Sequence, residues 1–269
     1  MKNIMLSIFI VVLSLVSCQK IVHVNLKNST SVLVIDADMS NVYGLNVRLS
    51  KSVDFYADND FPTVNNAIVI LQNLKTNKID TVPLASDGLY FLHKRPVVGT
   101  SYQLSVIVDS TTYTAISTMP DVTVPDSITF VKKYSFGENM VTTKVNFQDK
   151  AGVDNYYLFK QYILKSNKVS FFPFSDRLSD GRYIHYNLLN DSAYISEGDS
   201  VTVNMQCIDK NVYTYYSVLA NISADDNGFG AASPANPPSN IVGNALGVFS
   251  VHSDYSKKLK VPAVVTIEN

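Results

Sequence analysis

The chain has no tryptophan, only two cysteines (Cys18 and Cys207), three glutamates (Glu138, Glu197 and Glu268) and four histidines (His23, His93, His185 and His252). Each scarcity excludes something. Without tryptophan, the usual stacking platform for sugar rings is missing. Glycoside chemistry with paired carboxylates needs two of them flanking a cleft, whereas glutamate is rare here and the aspartates sit mostly at turn positions. No two histidines stand within i, i+4 of one another, so no local metal pair exists. No Gly-x-Ser-x-Gly elbow announces a serine nucleophile. The formal net charge is -1 and the basic residues are scattered, which gives no electrostatic footprint for nucleic acid. These absences predict a protein that is not an enzyme and carries no cofactor or metal.

Long apolar runs are also scarce. The one at the N-terminus, Ile4 to Val16, follows Lys2 and is broken only by Ser7 and Ser14. It falls short of the roughly 20 residues of a membrane-spanning helix and has the length of a signal-peptide core. Leu15-Val16-Ser17-Cys18 then resembles a lipobox. Its small Ser17 would let a peptidase reach the bond before Cys18, whose thiol would take a diacylglyceryl group. Met1 to Ser17 is therefore expected to be a secretion signal, and Cys18 the lipid-bearing first residue. Acyl chains at about 0.8 kcal/mol per buried CH₂ would then hold the domain on a bilayer. If Cys18 is acylated, Cys207 has no disulfide partner within the chain. It lies in the apolar run Val201 to Ile208 and reads as a small core hydrophobe.

What is plentiful is tyrosine (16), phenylalanine (13) and alternation. Period-two or continuous apolar runs predict strands at 31–37, 45–49, 67–71, 88–91, 102–108 and 113–117, the spacing of a β-sandwich. Pro120 and Pro125 bracket a stiff connector, and proline sits poorly inside a sheet. Strands resume at 127–134, 140–147, 155–164, 169–174, 183–188 and 200–208, with late ones at 247–252 and 261–267. A helix is predicted over 210–222. Asp209 would cap it, and Val212, Tyr216, Leu219 and Ile222 would share one face. The expected fold is mainly all-β, as two consecutive sandwiches. The first, 18–121, would be Ig-like or transthyretin-like, and the second, 122–269, would carry the helix and a long loop at 225–244.

Several segments together resemble the domain-of-unknown-function 4249 family of Bacteroidota lipoproteins. They are Ser31 to Ala37, Leu45 to Ser52, Val64 to Ile70, Asp87-Gly88-Leu89-Tyr90 and Val98 to Leu104. Met119-Pro120, Pro125 to Ile128, Asn236 to Ile241 and Leu246 to Ser250 complete the set. The resemblance implies an outer-membrane lipoprotein of unestablished activity, often encoded beside a TonB-dependent receptor. That receptor is then the expected partner. Gln19-Lys20-Ile21, rather than acidic residues, follows Cys18, which leaves open which face of the membrane the protein occupies.

Three further patterns are candidates for function. Asp58-Asn59-Asp60 and Asp225-Asp226-Asn227-Gly228 offer hard oxygens for calcium, without an EF-hand register; such clusters are first of all turn formers. Five Asp-Ser or Asp-Thr pairs precede Val, Thr, Ile or Ala and resemble O-glycosylation acceptors, at Thr81, Ser110, Ser127, Ser192 and Ser200. The plain alternative is a turn that opens a strand. Finally, a structureless stretch above about 12–15 residues tends to be functional or disordered. In the 225–244 loop, Phe229, Asn236, Pro237 and Asn240 are candidate partner-binding residues, unless the loop folds back to cover a sheet edge. The leading expectation is a non-catalytic accessory or ligand-binding lipoprotein of a TonB-dependent uptake system. The alternatives are a structural or adhesive envelope protein and, behind both, an enzyme with a non-local site.

Overall fold

Alternation along the chain gives strands with one face in a core, and the computed structural model shows which cores they share. It describes residues 31–53, 60–135, 138–166, 168–189, 195–225 and 236–267. The lipobox residues Leu15, Val16, Ser17 and Cys18, the candidates Ser192 and Phe229, and His23 lie outside the described residues. So do Asp58-Asn59, most of the Asp225 to Gly228 cluster, and Glu268.

The first half supplies β1 (Leu33–Ser40), β2 (Gly44–Lys51), β3 (Ile68–Asn73), β4 (Ile79–Val82), β5 (Leu84–Ser86), β6 (Leu89–Leu92), β7 (Ser101–Val108) and β8 (Thr111–Thr118). The second supplies β9 (Ser127–Ser135), β10 (Glu138–Gln148), β11 (Tyr156–Ile163), β12 (Lys168–Ser175), β13 (Tyr183–Leu188) and β14 (Ser200–Ile208). After these come α1 (Lys210–Asp225), β15 (Ile241–Val242), β16 (Ala245–His252), β17 (Tyr255–Lys260) and β18 (Thr266–Ile267). Four sheets result, ordered β16-β1-β2-β6-β5, β15-β8-β7-β3-β4, β13-β10-β9-β18 and β12-β11-β14-β17. The first two enclose one core, with Ile35, Leu49, Tyr90, Leu104 and Phe249 among its members. The last two enclose a second core, with Phe147, Tyr157, Phe159, Val203 and Met205. The all-β, two-sandwich expectation is what the chain forms.

The expected division of the chain at 121/122 needs correcting. β16 does not join the second sandwich. It runs parallel to β1, with Leu33 opposite Ala245 and Ser40 opposite His252, and it sends Phe249 and Val251 into the first core. β15 likewise pairs with β8. The chain thus leaves the first sandwich after β8, returns to it with β15 and β16, and goes back to the second with β17 and β18, so that 31–269 forms one unit. Periodicity identifies a strand but not the sheet it joins, and a parallel neighbour requires a long crossover. Gly247 makes the pairing close: its φ is +105°, and a Cβ there would lie 2.0 Å from the Ile35 carbonyl oxygen.

The helix has the cap expected of it. Asp209 Oδ1 accepts from the backbone N–H of Asn211 and of Val212, each at 3.0 Å. Its other oxygen accepts from the Ser117 hydroxyl and from the Thr118 N–H. One capping carboxylate therefore ties α1 to the first sandwich.

Candidate functional site

A third, smaller cluster lies outside both sandwich cores. β11 turns Tyr157, Phe159 and Ile163 into the second core, and its other face carries Tyr156, Leu158, Lys160 and Tyr162. β14 alternates the same way, with Asn204, Gln206 and Ile208 facing out. β16 sends Val248, Ser250 and His252 away from the first core. These outer faces meet beneath α1. At the helix end the junction is apolar: Leu158, Ile208, Val212 and Val248 are all buried together, with Tyr156, Phe171, Tyr213 and Tyr216 packed against them.

Further along the same strands the junction changes character. Leu158 gives way to Lys160, Ile208 to Gln206 and Asn204, and Val248 to Ser250 and His252. Asp36 and Asp38 approach from the outer face of β1, and Asp254 from the β16–β17 turn. Together they line two clefts that share Asp38, Lys160, Tyr162, Gln206 and His252. The larger holds about 510 Å³ and the smaller about 230 Å³. Small-molecule sites typically span roughly 300–1,000 Å³.

The charges in this cleft are poorly compensated. Lys160 feels Asp38, Asp36 and Asp254, yet among the described residues no carboxylate oxygen lies within ion-pair distance of its ammonium. Among the described residues its short-range partner is the Tyr216 ring, 5.5 Å from Nζ to the centroid. Desolvation holds the Lys160 ammonium below the usual lysine range, against the pull of the three carboxylates. Desolvation also pushes the carboxyls of Asp36, Asp38 and Asp254 upward, although Asp36 keeps one face open to solvent. Retaining charge in such surroundings costs folding free energy, so these groups are poor candidates for a purely structural role.

The hydrogen bonds around the cleft fix its walls. The His252 ring spans Gln206 Nε2 and the Ser250 hydroxyl, each at 3.0 Å. It is 2% exposed, and burial lowers its pKa to about 3. It is therefore neutral at physiological pH and held rigidly. Asn204 Nδ2 donates to Asp254 Oδ1, the Asp254 N–H donates to Asn41 Oδ1 at 2.8 Å, and Asn46 Nδ2 reaches Asp38 Oδ2 at 3.4 Å. Asn204 Oδ1 is buried in the cleft wall with no partner among the described residues. Sequence reading passed over this site, because its residues come from β1, β11, β14, β16 and a turn, and none stands in a local motif.

The residues singled out by sequence are dispersed. His93 is exposed beyond β6. His185 lies on β13, its Nδ1 2.6 Å from Asn146 Oδ1. His252 is in the cleft, so the described histidines do not converge. Thr81 and Ser110 are exposed, Ser110 in the β7–β8 turn with φ of 66°. Ser127 is half-buried and accepts from Asn146 Nδ2 at 2.9 Å, and Ser200 is half-buried at the start of β14.

Asn236 is exposed and Pro237 half-buried. Asn240 serves the fold: its side-chain amide donates to the Phe249 carbonyl at 2.7 Å and accepts from the Phe249 N–H at 2.9 Å. It thereby imitates a strand neighbour along the free edge of β16, the edge-covering role weighed for this loop. A shallow groove of about 360 Å³ remains beside it, lined by Thr114, Asn211, Pro238 and Val242.

Asp149, Asp176 and Asp180 form a cluster that sequence reading did not identify. Their carboxylate oxygens come within 4.8 Å of one another. Each already accepts hydrogen bonds: Asp149 from the Tyr157 hydroxyl and the Gly181 N–H, Asp176 from Asn155, and Asp180 from the Gly152 N–H. The cluster ties the loops at one end of the second sandwich together, and burial raises the Asp176 carboxyl.

Fold and cleft together define a two-sandwich β protein whose chain passes repeatedly between the sandwiches and which carries a polar cleft at their junction. The chain belongs to the family described as "Domain of unknown function (DUF4249)", whose model matches residues 19–258. No protein of curated function matches it. Among solved structures it is similar to the two fibronectin type-III domain segment from chicken tenascin. Identity is 14%, covering 86% of this chain and 99% of that one, at a TM-score of 0.26.

Proposed function

We propose that this protein is a non-catalytic, lipid-anchored outer-membrane lipoprotein that binds a small polar ligand in the junction cleft and serves a TonB-dependent uptake system. The observation that carries the binding role is the convergence of Asp38, Asp254 and Lys160 on the larger cleft, with Asp36 in the adjoining smaller one, without ion pairs to Lys160 among the described residues. Groups kept at a cost to stability are expected at functional sites. A hydrolytic role is disfavoured by the neutral His252, which is committed to Gln206 and Ser250 rather than to a nucleophile.

The anchor and the receptor partnership rest on the Leu15 to Cys18 pattern and on the family resemblance. A photo-crosslinking amino acid at the exposed Asn236, in the native host, tests the partnership. A covalent adduct with a TonB-dependent receptor is expected, and its absence would favour a structural or adhesive envelope role. A clickable fatty acid tests the anchor, since label retained on Cys18→Ala would overturn it.

A further inference from the structure

The cleft carries more negative charge than positive. Its charged groups are three carboxylates and one ammonium, and His252 is neutral. Two amide oxygens in the wall are further acceptors. Asn204 Oδ1 is buried and has no partner among the described residues. Gln206, 5% exposed, spends its nitrogen on His252, and no described group bonds its Oε1. A ligand that satisfies this wall must bring donors and positive charge.

Two further features specify that charge. Asp36, Asp38 and Asp254 do not close on a point. Among the described residues the only three carboxylates whose oxygens come within 4.8 Å of one another are Asp149, Asp176 and Asp180. Metal coordination by oxygen needs ligands at about 2.0–2.6 Å from one centre, so a spread-out cation suits the cleft better than a metal ion. Aromatic faces are also at hand. Tyr162 and Tyr43 line the larger cleft and Tyr216 the smaller, and cations bind tyrosine faces.

Resting on the reading of the junction as a ligand site, we infer that its ligand is a small organic cation carrying ammonium or guanidinium groups, held by Asp38 and Asp254 with Gln206 and Asn204 accepting from it. Lys160 lines both clefts, with its ammonium over the Tyr216 ring, and repels the ligand's cationic groups, which sets them at Asp38 and Asp254.

Isothermal titration of the full chain in 0.15 M salt, with agmatine, succinate and glucose as probes, tests this. Agmatine is expected to bind. Asp38→Asn and Asp254→Asn should each weaken it at least tenfold, and Lys160→Met, which removes the repelling charge, should tighten it. Calorimetric melting of each variant establishes that it is folded, and Asp254, in a turn, serves if Asp38→Asn does not fold. Binding of succinate that Lys160→Met abolishes, or binding of glucose alone, would overturn the cationic ligand while leaving the site intact. Binding of none of the three would overturn both.

Discussion

The two ends of the junction are built from the same strands and differ in every respect that matters for binding. At the helix end, Leu158, Ile208, Val212 and Val248 exclude water beneath α1. At the other end, one strand repeat further along, the same outer faces present Lys160, Gln206 and Ser250, and of the helix it is Tyr216 that reaches their cleft. Three strands that are far apart in sequence change polarity at the same level. Position in the fold does not require this, since apolar side chains could have continued and sealed the junction throughout. The sealed end holds the sandwiches together. The open end sacrifices stability for a set of charges, which is the trade expected where a ligand supplies the missing partners.

The largest expected effect lies at the sealed end. Leu158→Ala leaves a cavity in a fully buried position and should cost about 3 kcal/mol. Chemical denaturation would show it as a lower midpoint, and a loss under about 1 kcal/mol would mean that this cluster is not a core. Asn240→Ala comes next. It strips two hydrogen bonds from the Phe249 backbone and should cost about 2 kcal/mol. The loss should appear in melting, with no fall in crosslinking from Asn236; the reverse pattern would return Asn240 to a partner surface.

The smallest effect belongs to the open end, and it depends on pH. Burial raises the Asp38 carboxyl in the folded chain above the usual aspartate range. A raised carboxyl contributes stability that is present below the unfolded pKa and lost as pH rises through the folded one. Asp38→Asn lacks that loss. Its melting temperature should therefore gain on that of the parent between pH 3 and pH 7. A difference that stays flat or reverses would show that Asp38 is stabilised in place, as a structural residue would be.

Much of the scaffold was legible in the sequence because alternation reports on burial strand by strand. β1, β2, β7 and β14 lie where apolar periodicity put them, and Asp209 caps α1 as its position before the apolar stripe suggests. The short or exposed strands at sheet edges were not legible. β17, Tyr-Ser-Lys-Lys-Leu-Lys, packs little of itself inside and carries lysines that discourage further pairing. β4, β5 and β15 are short and partly exposed. The sheet membership of β16 was hidden because both of its faces are buried, one in the first core and one in the junction. The cleft was hidden for a related reason. Asp36 and Asp38 look like solvent-facing residues of an alternating strand, and only the return of β16 beside β1 brings Lys160 and Asp254 to them.

The central claim is that ligand enters the open end and leaves the sealed end untouched. The most direct test is a ¹H–¹⁵N correlation spectrum of the full chain titrated with agmatine. Shifts should concentrate at Asp38, Lys160, Asn204, Gln206, His252 and Asp254, with Leu158, Val212 and Val248 little changed. Shifts confined to the Asn236–Asn240 segment, or a spectrum that does not respond, would contradict the account.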